Sequence, residues 1–161
     1  MSLTKRSFLA AVLVAAVVFV AAAAADHGGR GWEHHGPLLQ QRLIGSILSD
    51  QPIHGSTRGG VPWAGTGTAM LDRHGRFDVH IRGLVILGTD NPGPVSTVTV
   101  SLYCAPDTSP AVFTTTPAPL SSHGDARIRQ HVTVPSRCLA PVVLVHPNGG
   151  AAYIMATGFT G

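Results

Sequence analysis

From Gly65 onward, apolar and polar residues alternate with a period of two. In Arg76 to Arg82, Phe77, Val79 and Ile81 take one side, and Arg76, Asp78, His80 and Arg82 take the other. A strand sends successive side chains to opposite faces, so this stretch predicts an antiparallel strand with one face on a core and one in water. Upstream, Thr66, Thr68 and Met70 alternate with small residues, and Asp72-Arg73-His74-Gly75 separates the two runs. Gly75 suits a positive-φ turn position, so the pair predicts a β-hairpin.

The same alternation recurs downstream. Between Val95 and Cys104, Val98, Val100, Leu102 and Cys104 oppose Thr97, Thr99, Ser101 and Tyr103. Between Ala126 and Val134, Ile128, Val132 and Val134 oppose Arg127, Arg129, His131 and Thr133. Val142 to Val145 is continuously apolar, which predicts a central strand covered on both sides. Pro147-Asn148-Gly149-Gly150 reads as a turn, and Ala151 to Phe159 as the last strand. Gly88 to Pro94 is dense in breakers and reads as a loop. The prolines from Ala105 to Pro119 leave room for a short edge strand at Val112 to Thr114.

Short strands punctuated by Gly and Pro predict an all-β fold, an antiparallel β-sandwich. Its expected core holds Phe77, Val79, Ile81, Val98, Val100, Leu102, Ile128, Val132, Val142 and Leu144. Leu38 to Leu48 is ambiguous. Leu39, Leu43, Ile44, Ile47 and Leu48 fit one face of a short helix, which Gly45 weakens, and an edge strand around Leu43 to Leu48 is the alternative. Asp50 to Pro62 reads as a loop, with Trp63 packing over one end of the core.

The N-terminus follows another pattern. Lys5 and Arg6 precede an unbroken apolar run, Phe8 to Val20, and Ala21 to Ala25 offers small residues for cleavage. This is the layout of a secretory signal over residues 1–24; an uncleaved anchor is the alternative. Residues 25–37 read as a flexible Gly/His-rich tail, and 38–161 as one domain. The expected location is extracellular, with membrane contact only during export.

Export changes the charge. The formal +3 loses the two units of Lys5 and Arg6, leaving +1, and no Lys remains in the mature chain. So near-neutral a domain lacks the footprint of a nucleic-acid binder. The two cysteines, Cys104 and Cys138, form an even pair, which in an exported chain favours a disulfide. A reactive or metal-binding thiol pair is the alternative, but no C-x-x-C spacing occurs.

Catalytic signatures are missing from the sequence. It has no G-x-S-x-G, H-E-x-x-H, P-loop or G-x-G-x-x-G. Glu33 is the sole glutamate, and Asp72, Asp90 and Asp107 stand in turn-like stretches. No carboxylate pair is marked for glycoside hydrolysis, so a secreted hydrolase is the weakest reading. The expectation is a non-catalytic binding or structural module without a resident cofactor. Its candidate contact residues are Arg76, His80, Arg82, Arg127, Arg129 and His131. If their strands are neighbours, they form an Arg/His patch suited to an anionic cell-wall or glycan component. The plain alternative is a solvated face balanced by Asp78. A second candidate lies at the mature N-terminus. Cleavage after Ala24 would expose Ala25-Asp26-His27, whose amine, amides and imidazole can surround Cu(II) or Ni(II) in a square plane.

The phrases IGSILSDQPIHG, GGVPW, RFDVHIRGLVI, STVTVSLYC, GDARIR, PSRCLAPVVLVHPNG and YIMATGF resemble a family of small secreted actinobacterial proteins of unassigned function. The F-x-V-x-I-x-G-L rhythm from Phe77 is also loosely similar to chordin-type (CHRD) β-domains. The family resemblance implies a compact extracellular β-domain with Cys104 paired to Cys138, and implies no active site.

Overall fold

The computed structural model describes residues 36–104 and 110–157. The expected signal segment, the Ala25-Asp26-His27 set, most of the expected tail, Asp107 and Phe159 lie outside the described residues. Those described form strands and connections with no helix among them: β1 (Leu39–Gly45), β2 (Trp63–Leu71), β3 (Arg76–Ile86), β4 (Thr97–Tyr103), β5 (Phe113–Thr114), β6 (Ala118–Pro119), β7 (Ala126–His131), β8 (Val142–Pro147) and β9 (Met155–Thr157). The ladders between them are antiparallel, in the order β5-β4-β8-β9-β1-β2-β3-β7, with β6 also on β4.

This one path curls over into the two layers of the expected sandwich. The Phe77 ring of β3 meets Phe113 of β5 edge-on at 4.9 Å. The Gln130 side-chain oxygen of β7 accepts from the Thr116 amide at 3.0 Å, across the gap between the ends of the path. Leu43, Phe77, Val79, Val98, Val100, Val143, Val145 and Met155 are wholly buried in one cluster that draws on both layers. Burying a side chain of this size is worth about 1.5–3 kcal/mol, so this shared cluster dominates the stability of the domain.

The hairpin forms where the period predicts it. Gly75 has φ +83°, and a β-carbon there would stand 2.3 Å from the Val132 carbonyl oxygen. Asp72 Oδ1 accepts from the amides of Arg76 and His74, at 2.9 and 2.8 Å, and these bonds hold its carboxyl below the usual range. A second tight turn precedes β7. There Gly124 (φ +76°) lets the chain pass within 2.3 Å of the Leu84 amide nitrogen, measured from a hypothetical β-carbon.

Three expectations are corrected, and a fourth, the loop from Asp50 to Pro62, holds and gains a role. Leu39–Gly45 is a strand, and an inner one, paired with both β2 and β9. Its alternation is blurred because Gln41 occupies a core-side position, where its amide donates to the Pro141 carbonyl at 3.1 Å. The last strand starts at Met155 rather than Ala151: Met155–Thr157 pairs, while Tyr153 bridges to Arg58. Val142 and Leu144 leave the main core for a second cluster on the opposite face, with Tyr103, Tyr153 and Ala156. A continuous apolar run carries no parity, so its inward residues, Val143 and Val145, could not be told from its outward ones. Finally, residues 46–62 do more than connect. Gly59 N donates to Tyr153 O at 2.7 Å, Tyr153 N to Thr57 O at 2.8 Å, and the Tyr153 hydroxyl to Gln51 O at 2.7 Å. His54 stacks on Tyr103 at 4.3 Å. The connection thereby covers the outer face of β4, β8 and β9.

Cys104 and Cys138 are bonded, with Cα atoms 4.4 Å apart. The bond ties the end of β4 to the connection between β7 and β8.

Candidate binding face

Among the described residues no comparable cover lies over β1, β2, β3 and β7, and their outward positions are mostly polar, with Ile44 and Met70 the exposed apolar exceptions. The register brings β3 and β7 together as neighbours, pairing Arg76 with His131, Asp78 with Arg129, and His80 with Arg127. These residues alternate with Phe77, Val79, Ile81 and Ile128, which are buried, so burial on one side fixes which side faces out. Arg82 continues the β3 row one step further.

Asp78 is the centre of this face. Its side chain is only 12% exposed, and Oδ2 accepts from Arg129 Nε at 3.0 Å and from Arg127 Nη2 at 3.3 Å. His80 Nε2 lies 3.0 Å from Oδ1, an ion-pair distance without hydrogen-bond alignment, so Oδ1 itself has no donor. The balancing carboxylate read from the sequence is therefore present, but it is occupied by two of the five arginines on the face. Exposed ion pairs of this kind contribute about 0–1 kcal/mol, so the cluster organises side chains more than it stabilises the fold.

The fifth arginine is one the sequence reading missed. Arg42 of β1 pairs with Thr68, which pairs with His80, which pairs with Arg127, so the four stand in one row across four strands. Thr66 occupies the next row between Ile44 and Arg82. Arg42, Thr66, Thr68, His80 and Arg82 line a shallow open depression. A second depression is lined by Arg76, Asp78, Arg129, Gln130 and His131. Reading β1 as a strand would have exposed Arg42, since Leu39 and Leu43 flank it at core parity.

The other histidines divide by position. His74 and His123 are exposed in turns, and His54 is taken up by Tyr103. His146 is buried in β8, where Nδ1 bonds the Ala152 carbonyl at 3.0 Å and Nε2 has no partner. Burial pushes its pKa below the ordinary histidine value, opposed by that bond. Among the described residues no group of three His, Cys, Asp or Glu converges as a metal site.

Comparison with protein-family models, with curated proteins and with solved structures finds no match for this chain.

Proposed function

We propose that this chain is exported, is cleaved near Ala24, and acts outside the cell as a non-catalytic binding module. Its contact surface is the outer face of β1, β2, β3 and β7, with Arg76, His80, Arg82, Arg127, Arg129 and His131 as contacts and an anionic cell-wall or glycan component as partner. The observation that carries this reading is the opposite treatment of the two outer faces. One, with Tyr103, Leu144, Tyr153 and Ala156 at its centre, is capped by residues 46–62, while the other is open among the described residues and carries five arginines. Arginine forks match carboxylate, sulfate and phosphate oxygens. The carboxylate of that face, Asp78, is held by Arg127 and Arg129, an arrangement suited to a scaffold rather than to proton transfer. The disulfide fits an oxidising compartment, and the resemblance carried by phrases such as PSRCLAPVVLVHPNG fits export.

Sedimentation with isolated cell wall tests the proposal. The purified mature protein should pellet with the wall at low salt and release at high salt. A variant with Arg42, Arg76, Arg82, Arg127 and Arg129 all changed to Gln should stay in solution while keeping its far-UV spectrum. Equal pelleting of the folded variant would overturn the reading.

A further inference from the structure

The open face is not uniform along β3, and its unevenness says what shape of ligand it fits. The centre is self-neutralised, because Asp78 holds Arg127 and Arg129 and contacts His80. On one side lie Arg42 and Arg82, separated by Thr66 and Thr68. On the other lie Arg76 and His131, in a depression whose inner wall is Asp78 and Arg129. Among the described residues, no carboxylate is within ion-pair distance of Arg42, Arg76 or Arg82. Asp72 influences Arg76 from further away, but its Oδ1 is engaged by turn amides; Asp125 lines a depression with His80, Arg82 and Arg127, and its Oδ1 accepts from the Gly83 amide at 3.0 Å.

Arg76 and Arg82 are six residues apart on one strand and share a face. At about 3.4 Å per residue, the two cationic ends are roughly 20 Å apart. One small anion cannot touch both. A chain carrying repeated negative charges can, and linking two weak contacts through one ligand multiplies affinity. The Trp and Phe side chains of β1, β2, β3 and β7, Trp63 and Phe77, both point into the core, which leaves the imidazoles of His80 and His131 as the aromatic groups of the face. The face therefore lacks a Trp, Tyr or Phe platform for a run of stacked bases, and its main recognition elements are charge and the hydroxyls of Thr66 and Thr68.

We propose that this face binds a linear acidic polysaccharide laid along β3. One anionic group seats between Arg42 and Arg82, a second between Arg76 and His131, and the Asp78 cluster is the floor between them. This rests on the reading of the face as a binding surface and adds the ligand's shape and the two seats.

Fluorescence titration of the disulfide-bonded protein with size-graded oligogalacturonates (carboxylate) and heparin oligosaccharides (sulfate) tests it, and shows which anion is preferred. Affinity should rise steeply once the oligosaccharide exceeds roughly 20 Å. For long oligomers, Arg42→Gln with Arg82→Gln should cost about 100-fold, and Arg76→Gln with His131→Gln a similar factor. Arg127→Gln with Arg129→Gln should weaken binding too, but less than either end pair does, because Asp78 already offsets much of their charge. Circular dichroism checks that each variant is folded. Binding without length dependence, or loss greatest in the Arg127/Arg129 variant, overturns the two seats and leaves the broader function standing. Tighter binding of oligothymidylate than of either glycan overturns the choice of polysaccharide. Wild-type protein that binds neither glycan but pellets with cell wall also overturns this inference alone; failure to bind glycan and wall together overturns both.

Discussion

On β3, alternate residues from Arg76 to Arg82 face water, while on β8 the residues from Val143 to His146 are buried whichever way they point. Both strands feed the same core. They differ in what lies outside: among the described residues nothing covers β3, while residues 46–62 cover β8. Tyr103, Leu144 and Tyr153 need that cover, and the arginines of β3 and β7 forbid one, because a charge taken out of water must be paired or neutralised. The capped half thus contributes stability on both faces, and the open half contributes it on one, leaving the other face available for a ligand.

Substitutions on the two outer faces should therefore separate widely. Tyr153→Ala removes a fully buried ring and its bond to Gln51, and should cost about 3–5 kcal/mol in urea unfolding. A loss under about 1 kcal/mol would mean that residues 46–62 do not hold the cap. Breaking the Cys104–Cys138 bond, which joins the capped β4 to the connection leaving the open β7, should cost roughly 3–4 kcal/mol. Urea unfolding of the Cys104→Ala, Cys138→Ala double variant measures it.

His146 makes the capped half sensitive to acid. Its folded pKa is depressed by burial, so the unfolded chain binds the proton more readily. The stabilising contribution of the neutral ring is complete above the ordinary value near 6.5 and is lost as pH falls through it toward the lower folded pKa. Unfolding midpoints at about pH 8 and about pH 5 should differ less in His146→Gln than in the wild type; an unchanged pH dependence would contradict this. On the open half the effects shrink. Arg129→Ala should cost less than about 1 kcal/mol, as an exposed pair does. Thr68→Val should stay within about 0.5 kcal/mol by the same unfolding assay.

The open half was the legible one. Alternation shows only when one face is wet, so β3 and β7, and the rows of cations they carry, could be read from residue order alone. Val142 to Val145 announced a doubly covered strand but not which residues faced which layer, nor that residues 46–62 supply the cover. β6 is hidden because it is two residues long and one is Pro119, which has no amide to donate. Arg42 escaped because the partners that define its row, Thr68 and His80, are distant in sequence. No local pattern encodes that register, only the pairing of β1 with β2.

The bond between Cys104 and Cys138 has a consequence for a chain that meets proteases. Arg137 is exposed in the connection after β7, one residue before Cys138. A trypsin-like cut after Arg137 would sever the backbone between β7 and β8. It would leave Cys104 on the longer fragment and Cys138 on the shorter, so the nicked pieces would stay covalently linked. β8 and β9 would still be packed between β4 and β1. The cut molecule would run as one species until reduced, and the face carrying the arginines would be untouched by the damage.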